Sequence, residues 1–367
     1  MSELADVCRL YGPAYLEKHG ATMLPSHRRA LRDIVDCRTP ALGGHLFGCS
    51  CCGHQVYTYH SCRNRSCPKC HTRDTEAWLE ARKEELLPVP YFHVVFTVPH
   101  ELGPLIRSNQ RDLYGLLLTA APQALVKLAA DRRHLGGLVG VMALLHTWSA
   151  TLDYHPHVHC LVPAGALDKA DGSWRPARPN FLVPVRALSK LFKGIFGELL
   201  RQRRPDLVTA PECWRKPWVV YCKPAIQGTQ TVLDYLGRYV HRIAITNTRI
   251  ASIADGRVTF RYKDHRSNSW RTMALQAEEF IRRFLQHVLP AGLHKIRYVG
   301  LWSAPNRLLL RRLQLLLAAP RQSPSPPAIP DSQETPRSNL EGRACPACRL
   351  GTLHLVRRLQ ARRSRPP

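Results

Sequence analysis

Acidic residues are scarce in this chain. Asp and Glu number 27 against 53 Lys and Arg, a formal net charge of +26 over 367 residues. An excess of that size, spread over the whole sequence, makes a polyanion the expected partner, with nucleic acid first in line. Long apolar runs are scarce too. The longest stretch, Leu135 to Leu145, is too short to span a bilayer, and the leucines near position 310 are interrupted by Arg311 and Arg312, so no membrane anchor is expected. The first 25 residues lack the basic start and continuous apolar stretch of a secretion signal, and a cytoplasmic protein acting at the bacterial nucleoid is expected. An even set of cysteines is also missing. There are thirteen, eight of them before position 71, which points to thiolate metal ligands in a reducing compartment rather than to disulfides.

With 44% hydrophobic residues the chain can bury at least one substantial core. Residues 1–36 read as a helical lead-in of one or two amphipathic helices. Residues 37–88 turn to Cys, His, Gly and Arg and read as a metal-knit module with a connecting helix, TEAWLEARKEELLP, stopped by Pro88. From 89 to 317 the pattern is that of a catalytic domain. YFHVVFTV (91–98) is a buried strand, a helical stretch runs from about Arg107 to Arg133, and Val139–Val162 holds two strands at the centre of a mixed sheet. PWVVYCK is a further strand, QTVLDYLGRYVHRI a helix, DGRVTFRYKD with WRTMAL a hairpin, EEFIRRFLQHVL a helix and KIRYVGLW a strand. Residues 318–344 are a Pro- and Ser-rich flexible linker, and 345–367 a basic tail.

Cys49 and Cys52 stand as C-x2-C, and so do Cys67 and Cys70. Each such knuckle points two thiolates at one ion, and two knuckles complete a tetrahedral four-thiolate Zn2+ site whose binding free energy folds the module. Cys37, Cys51, Cys62, His45, His54, His60 and His71 lie in the same stretch and leave room for a second ion or a different ligand set. Arg63, Arg65, Lys69 and Arg73 surround the knuckles and suit phosphate contact. In the tail, Cys345 and Cys348 form one more knuckle with no second pair after it, which reads as a vestige or an intermolecular site rather than a complete ribbon.

HPHVH (155–159) carries the second metal signal. Alternate side chains of a strand share a face, so His157 and His159 can grip one divalent ion and leave positions open for a third ligand and for phosphate oxygens. His155, Asp153 and His146 are the candidates for that third place, and His155 precedes a proline that can turn it away. On the expected helix, Tyr235, Arg238, Tyr239 and Arg242 follow i, i+3, i+4, i+7 and form one stripe, beside an apolar stripe of Val232, Leu236, Val240 and Ile243. Two phenols and two guanidiniums can thus face a groove. A tyrosine attacking a phosphodiester whose oxygen is held by a metal ion leaves a phosphotyrosine that keeps the bond energy, and two tyrosines can hold two DNA ends in turn.

At these residues the chain closely resembles the two-tyrosine HUH transposases of the insertion-sequence-91-like family with an amino-terminal zinc-binding domain. The resemblance covers about 30–305. It rests on CRTPALGGH, CCGH, YHSCRNRSCPKC, YFHVVFTVPHEL, HTWSATLDYHPHVHCLVPAGAL, YLGRYVHRIAITN, VTFRYKD and EEFIRRFLQHVLPAGLHKIRYVG. It implies an α+β fold with an HUH-endonuclease-like antiparallel sheet and flanking helices, preceded by a small zinc-ribbon-like module. It also implies His157 and His159 as metal ligands, Tyr235 and Tyr239 as nucleophiles, and a single-stranded DNA route of the rolling-circle kind. Ser66 departs from the family, which commonly has His before CPKC. The expected cofactors are structural Zn2+ and catalytic Mg2+ or Mn2+, imidazoles favouring the softer ion. The expected partner is DNA, chiefly single-stranded element ends and target. Two rivals remain: a zinc-finger regulator without catalysis, and a metal-dependent hydrolase, for which the residues after His159 do not fit.

Overall fold

The computed structural model describes residues 2–226, 228, 231, 232, 237, 243–264, 267–318 and 340–362, those of 71–77 and 224–226 by backbone only. Helices α1 (Leu4–His19) and α2 (Pro25–Asp36) open the chain. They lead to strands β1 (Gly44–Cys49) and β2 (Gln55–Tyr59) and helix α3 (Pro68–Lys83). Then come β3 (Tyr91–Thr97), α4 (Gly103–Ser108), α5 (Gln110–Ala129), β4 (Gly140–Trp148) and β5 (Tyr154–Pro163). The short pair β6 (Gly165–Leu167) and β7 (Trp174–Pro176) precedes α6 (Val185–Arg203), α7 (Glu212–Arg215) and β8 (Val219–Ile226). Strands β9 (Ile250–Ala254), β10 (Arg257–Asp264) and β11 (Ser269–Gln276), helix α8 (Ala277–Leu285), β12 (Ile296–Gly300), α9 (Arg307–Leu317) and β13 (Leu353–Leu359) follow. Helix α3 ends five residues before the expected stop at Pro88. The expected linker falls mostly outside the described residues, as does the helix expected over QTVLDYLGRYVHRI apart from Thr231, Val232, Gly237 and Ile243.

These elements form an α+β protein of two compact units that cut across the expected sequential boundaries. One unit joins 1–73, 245–285 and 322–367; the other joins 74–244 and 286–321.

The second unit is built on a five-stranded sheet in the order β12-β4-β5-β3-β8. Every pairing in it is antiparallel, not mixed. Period-2 alternation sorts its residues. Val94, Phe96, Val141, Ala143, Leu145, Val158, Cys160 and Val162 face one way and bury against α5 and α6. Helix α6 does this with Leu188, Phe192, Phe196 and Leu200, four apart along one stripe. Burying each such side chain is worth about 1.5–3 kcal/mol. The opposite face is divided. Tyr91, Met142, Leu144 and Leu161 form a second core with Leu86, Leu87, Trp302, Leu310, Leu313 and Val232, Tyr91 stacking on Trp302 at 6.0 Å. The rest of that face carries histidines.

In the first unit, β1 is the central strand of a sheet in the order β13-β1-β2. Strands β9 to β11 make a separate meander, so the expected hairpin gains a third strand. Helix α8 covers the meander with Phe280, Ile281 and Phe284, Phe280 lying 5.8 Å from the Phe260 ring. Helix α1 is tied to α8 by Lys18 and His19, both bonded to Glu278.

Candidate functional site

The histidine site follows from strand register. On β5, His157 and His159 are two apart and share the face that also carries Leu161. Strand β4 runs antiparallel beside it with His146 directly opposite His157 and Leu144 opposite His159. Directly opposed residues hold their Cβ atoms about 5 Å apart. Two histidines on one strand and a third across from the first therefore make a triangle. Ligand nitrogens of His146, His157 and His159 all lie within 4.8 Å of one another. Of the three candidates for the third place, His146 is the one brought in. His155 is exposed, and Asp153 is held in the β4–β5 turn by Thr151 Oγ1 at 2.5 Å and Ser149 Oγ at 3.3 Å.

Pro156 explains the local shape. Register slips between His146 and Trp148, because Thr147 alone opposes His155 and Pro156. The proline, with no N–H to give to a ladder, sits in that bulge. The bulge brings the His155 carbonyl within 2.6 Å of His157 Nδ1. A carbonyl only accepts, so His157 Nδ1 carries the proton and Nε2 keeps the lone pair a metal needs.

A second layer, not foreseen in the sequence, supports the triangle. His93 on β3 is buried, and its Nε2 lies 2.7 Å from His159 Nδ1 with the rings nearly parallel. Burial first, then the charges of Lys223 and His157, hold His93 down to about 3, so it is neutral and able to accept. From β12's side of the sheet, His287 Nδ1 takes the Thr147 hydroxyl at 3.1 Å, and its Nε2–H reaches the Leu152 carbonyl at 3.1 Å, which Gln286 Nε2 also holds at 2.9 Å. These bonds fix the turn joining the two ligand strands. Leu152 itself stands at φ 64.

Tyr235, Tyr239, Arg238 and Arg242 lie outside the described residues. The residues beside them are informative. Val232 is fully buried in the second core, on the histidine face of the sheet, and the Cα of Gly237 faces Leu79, whose Cδ1 would stand 3.1 Å from an added Cβ.

The cysteines are partnered differently from the expected set. Cys67 and Cys70 join Cys37 and Cys62, while Cys49 and Cys52 join Cys345 and Cys348. Each knuckle is intact, but the two do not share a site, because β1 and β2 carry the first pair away toward the tail while α3 begins at the second. In the first group Sγ of Cys70 is 3.5 Å from Sγ of both Cys37 and Cys62. Sulfurs bound to one zinc at about 2.3 Å in a tetrahedron stand about 3.8 Å apart, whereas a disulfide needs about 2.05 Å. All thirteen cysteines are free thiols. The thiol contacts of this group push Cys62 and Cys67 up, hold Cys37 down to about 7 and hold Cys70 lower still. Asn64 braces the loop between them, donating to Asp33 Oδ2 at 3.0 Å and accepting from Ser66 N at 2.9 Å. Ser66 takes no ligand place.

Among the basic residues expected around the knuckles, Arg63 and Arg65 are exposed. Lys69 is not presented to a partner in the same way, since its Nζ pairs with Glu3 at 2.6 Å. The Arg73 side chain lies outside the description. Among the described residues no helix is long and apolar enough to cross a membrane.

Comparison with known proteins covers both regions. The family description "Transposase zinc-binding domain" matches residues 7–98, and "Putative transposase" matches 140–308, which takes in all three histidines and both tyrosines. "Putative transposase y4qJ" of Sinorhizobium fredii is 41% identical over 96% of this chain and 94% of its own length. "Transposase for insertion sequence element IS801" of Pseudomonas savastanoi pv. phaseolicola is 30% identical over 73% of this chain and 68% of its own. No solved structure matches. With a relative so similar along nearly the whole of both chains, and zinc-binding and transposase regions in the same order, the protein belongs to the insertion-sequence-91-like family of transposases.

Proposed function

We propose that the protein nicks and rejoins single-stranded DNA through a 5′-phosphotyrosine made by Tyr235 and Tyr239, in rolling-circle-type transposition. The observation that carries this reading is the convergence of His146, His157 and His159 on the sheet face into which Val232 packs, three residues before Tyr235. A divalent ion, Mg2+ or Mn2+, held by these imidazoles would polarise a non-bridging oxygen of the scissile phosphate. His155 and His93 hold the Nδ1 atoms of His157 and His159, so each ring keeps Nε2 for the ion. The tyrosine oxygen forms a bond to phosphorus as the bond from phosphorus to the 3′ oxygen breaks, and a 3′ hydroxyl leaves. Attack by a 3′ hydroxyl on the phosphotyrosine reverses the step and joins strands without ATP. The net charge of +26 supplies affinity for the DNA backbone, and Arg63, Arg65, Arg73, Arg238 and Arg242 are the basic residues assigned to it. Cys37, Cys62, Cys67 and Cys70 hold structural zinc.

Incubation with a single-stranded oligonucleotide carrying the element end and Mn2+ tests the chemistry. A covalent adduct that survives denaturation is expected. Tyr235→Phe with Tyr239→Phe should eliminate it, and each change alone should leave partial cleavage. An adduct that persists in the double variant would move the attack to Tyr221, which lies on the histidine face two strands from His159, or to Tyr262. No adduct from any substrate, with DNA binding intact, would favour a regulator without catalysis.

A further inference from the structure

We infer that Cys49, Cys52, Cys345 and Cys348 form a second zinc site, one that clasps the tail of the chain to its amino-terminal module. The four thiols are drawn from positions up to 299 residues apart, and their ligand atoms all lie within 4.8 Å. Sγ of Cys49 is 3.6 Å from that of Cys348, and Sγ of Cys52 is 3.8 Å from that of Cys345. Those separations match the sulfur spacing of about 3.8 Å in a tetrahedral zinc site and are far too long for disulfides. Backbone amides aim at the sulfurs as they do in zinc knuckles. Cys51 N lies 3.3 Å from Cys49 Sγ, Ala347 N 3.4 Å from Cys345 Sγ, and Gly351 N 3.5 Å from Cys348 Sγ.

The surrounding structure is built for this meeting. Gly351 packs so closely that an added Cβ would stand 2.6 Å from Cys49 Sγ and 2.8 Å from Cys51 N. Ser50 and Thr352 exchange two bonds, from Ser50 N to the Thr352 carbonyl at 3.0 Å and from Thr352 N to Ser50 Oγ at 3.1 Å. Beyond the knuckle the tail becomes β13 and pairs with β1 from Cys49↔Leu353 to Gly44↔Leu359. The core of this sheet is small. Its buried cluster is Phe47, Cys49, Cys345 and Leu353, with Val56, Leu340, Cys348 and Leu355 partly buried against it, so two of the four buried members are themselves proposed ligands. A metal is the ordinary supplement to a core of that size. The tail knuckle is therefore neither a vestige nor an intermolecular site. It is the second half of a ribbon whose first half lies near the start of the chain, and it brings exposed Arg349, Arg357 and Arg358 to the amino-terminal module.

Metal analysis and thiol footprinting on the full-length chain test this. Two zinc ions per chain are expected, and one is expected after Cys345→Ser with Cys348→Ser. In the zinc-loaded protein a small alkylating agent should modify Cys51, which is exposed and takes no ligand place, while sparing Cys52 and Cys348. Those two are the decisive positions, because Cys52, like Cys51, is exposed and only a metal would protect it. Chelation should release both, and the amides of β13 should then lose their protection from hydrogen exchange. One zinc per chain, with Cys52 and Cys348 alkylated at the rate of Cys51, would overturn the proposal. So would a disulfide linking the two knuckles. Neither result would bear on the tyrosine chemistry, which is read by the adduct.

Discussion

The histidine group and the cysteine groups differ in what assembles them. His146, His157 and His159 come from neighbouring strands of a sheet whose opposite face buries Phe96, Val158, Leu145 and their neighbours under α5 and α6. That apolar face fixes the register, and the register places the imidazoles whether or not an ion is bound. The cysteine groups have little of this. Among the described residues, Cys49 and Cys345 are buried with Phe47 and Leu353 against partly buried Val56, Leu340 and Leu355, and Cys37, Cys62, Cys67 and Cys70 cap a loop braced by one hydrogen bond that Asn64 donates and one that it accepts. On the proposed reading, one region is a fold that holds a metal, and the other is a metal that holds a fold. The first suits a catalytic ion that must be exchangeable and open to substrate; the second suits a closed structural ion.

The sharpest way to break this comparison is to remove a thiol. Cys62→Ser should cost most of the zinc affinity of its group, which for structural sites amounts to about 10 kcal/mol or more, and should release the amides of residues 37–70 to rapid exchange. Strands β3 to β5 should stay protected. Equal loss of protection in both regions would show that the two do not fold by different means. A Cys62→Ser protein that keeps its zinc and its protection would remove that cysteine from the ligand set.

Next in size is His146→Ala. With the metal assigned several kcal/mol of transition-state stabilisation, cleavage should fall on the order of a thousandfold. Thermal unfolding of the second unit should change far less than in a core deletion, because the main core lies on the other face. Binding of single-stranded DNA in metal-free buffer should be nearly unchanged, since phosphate affinity comes from Lys and Arg. If binding and cleavage fell together, the histidine would be holding the sheet and not an ion.

These contrasts also decide what the sequence could reveal. His157 and His159 are legible because a strand's period of two is written locally, and so are β3, β5 and the β10–β11 hairpin. His146 was one of three candidates, since choosing it requires the β4–β5 register, and register depends on a bulge at Pro156 that no spacing declares. His93 stands alone in an apolar strand and gives no signal until β3 is laid beside β5. With the cysteines, the knuckles were legible and their partners were not. A C-x2-C fixes two ligands by backbone geometry, but which pair completes the tetrahedron depends on chain paths of up to 299 residues. Cys37 and Cys62 offered lone thiols with no motif. The α6 stripe of Leu188, Phe192, Phe196 and Leu200 is written locally too, at a spacing of four. Residues 245–285 fold with the amino-terminal unit, a pairing that sequence adjacency conceals.

The smallest expected effect probes how finely the preformed region is tuned. His93 touches no expected substrate atom; on the proposed reading it accepts from His159 Nδ1 across 2.7 Å and so holds that ring with Nε2 toward the proposed ion. Partners of this kind are worth roughly tenfold to a hundredfold in metal affinity. His93→Leu removes the acceptor while keeping an apolar side chain on β3, so the Mn2+ concentration needed for half-maximal cleavage should rise by about that factor. Cleavage at saturating Mn2+ should change little. Gln at the same position keeps an oxygen that can accept, and should recover part of the affinity if the hydrogen bond is what matters. Were His93→Leu and His93→Gln to weaken Mn2+ binding equally, the effect would belong to packing of the buried ring. An unchanged Mn2+ requirement in both would mean that β4 and β5 alone orient the ligands, and the second layer would be excess to a site the register already fixes.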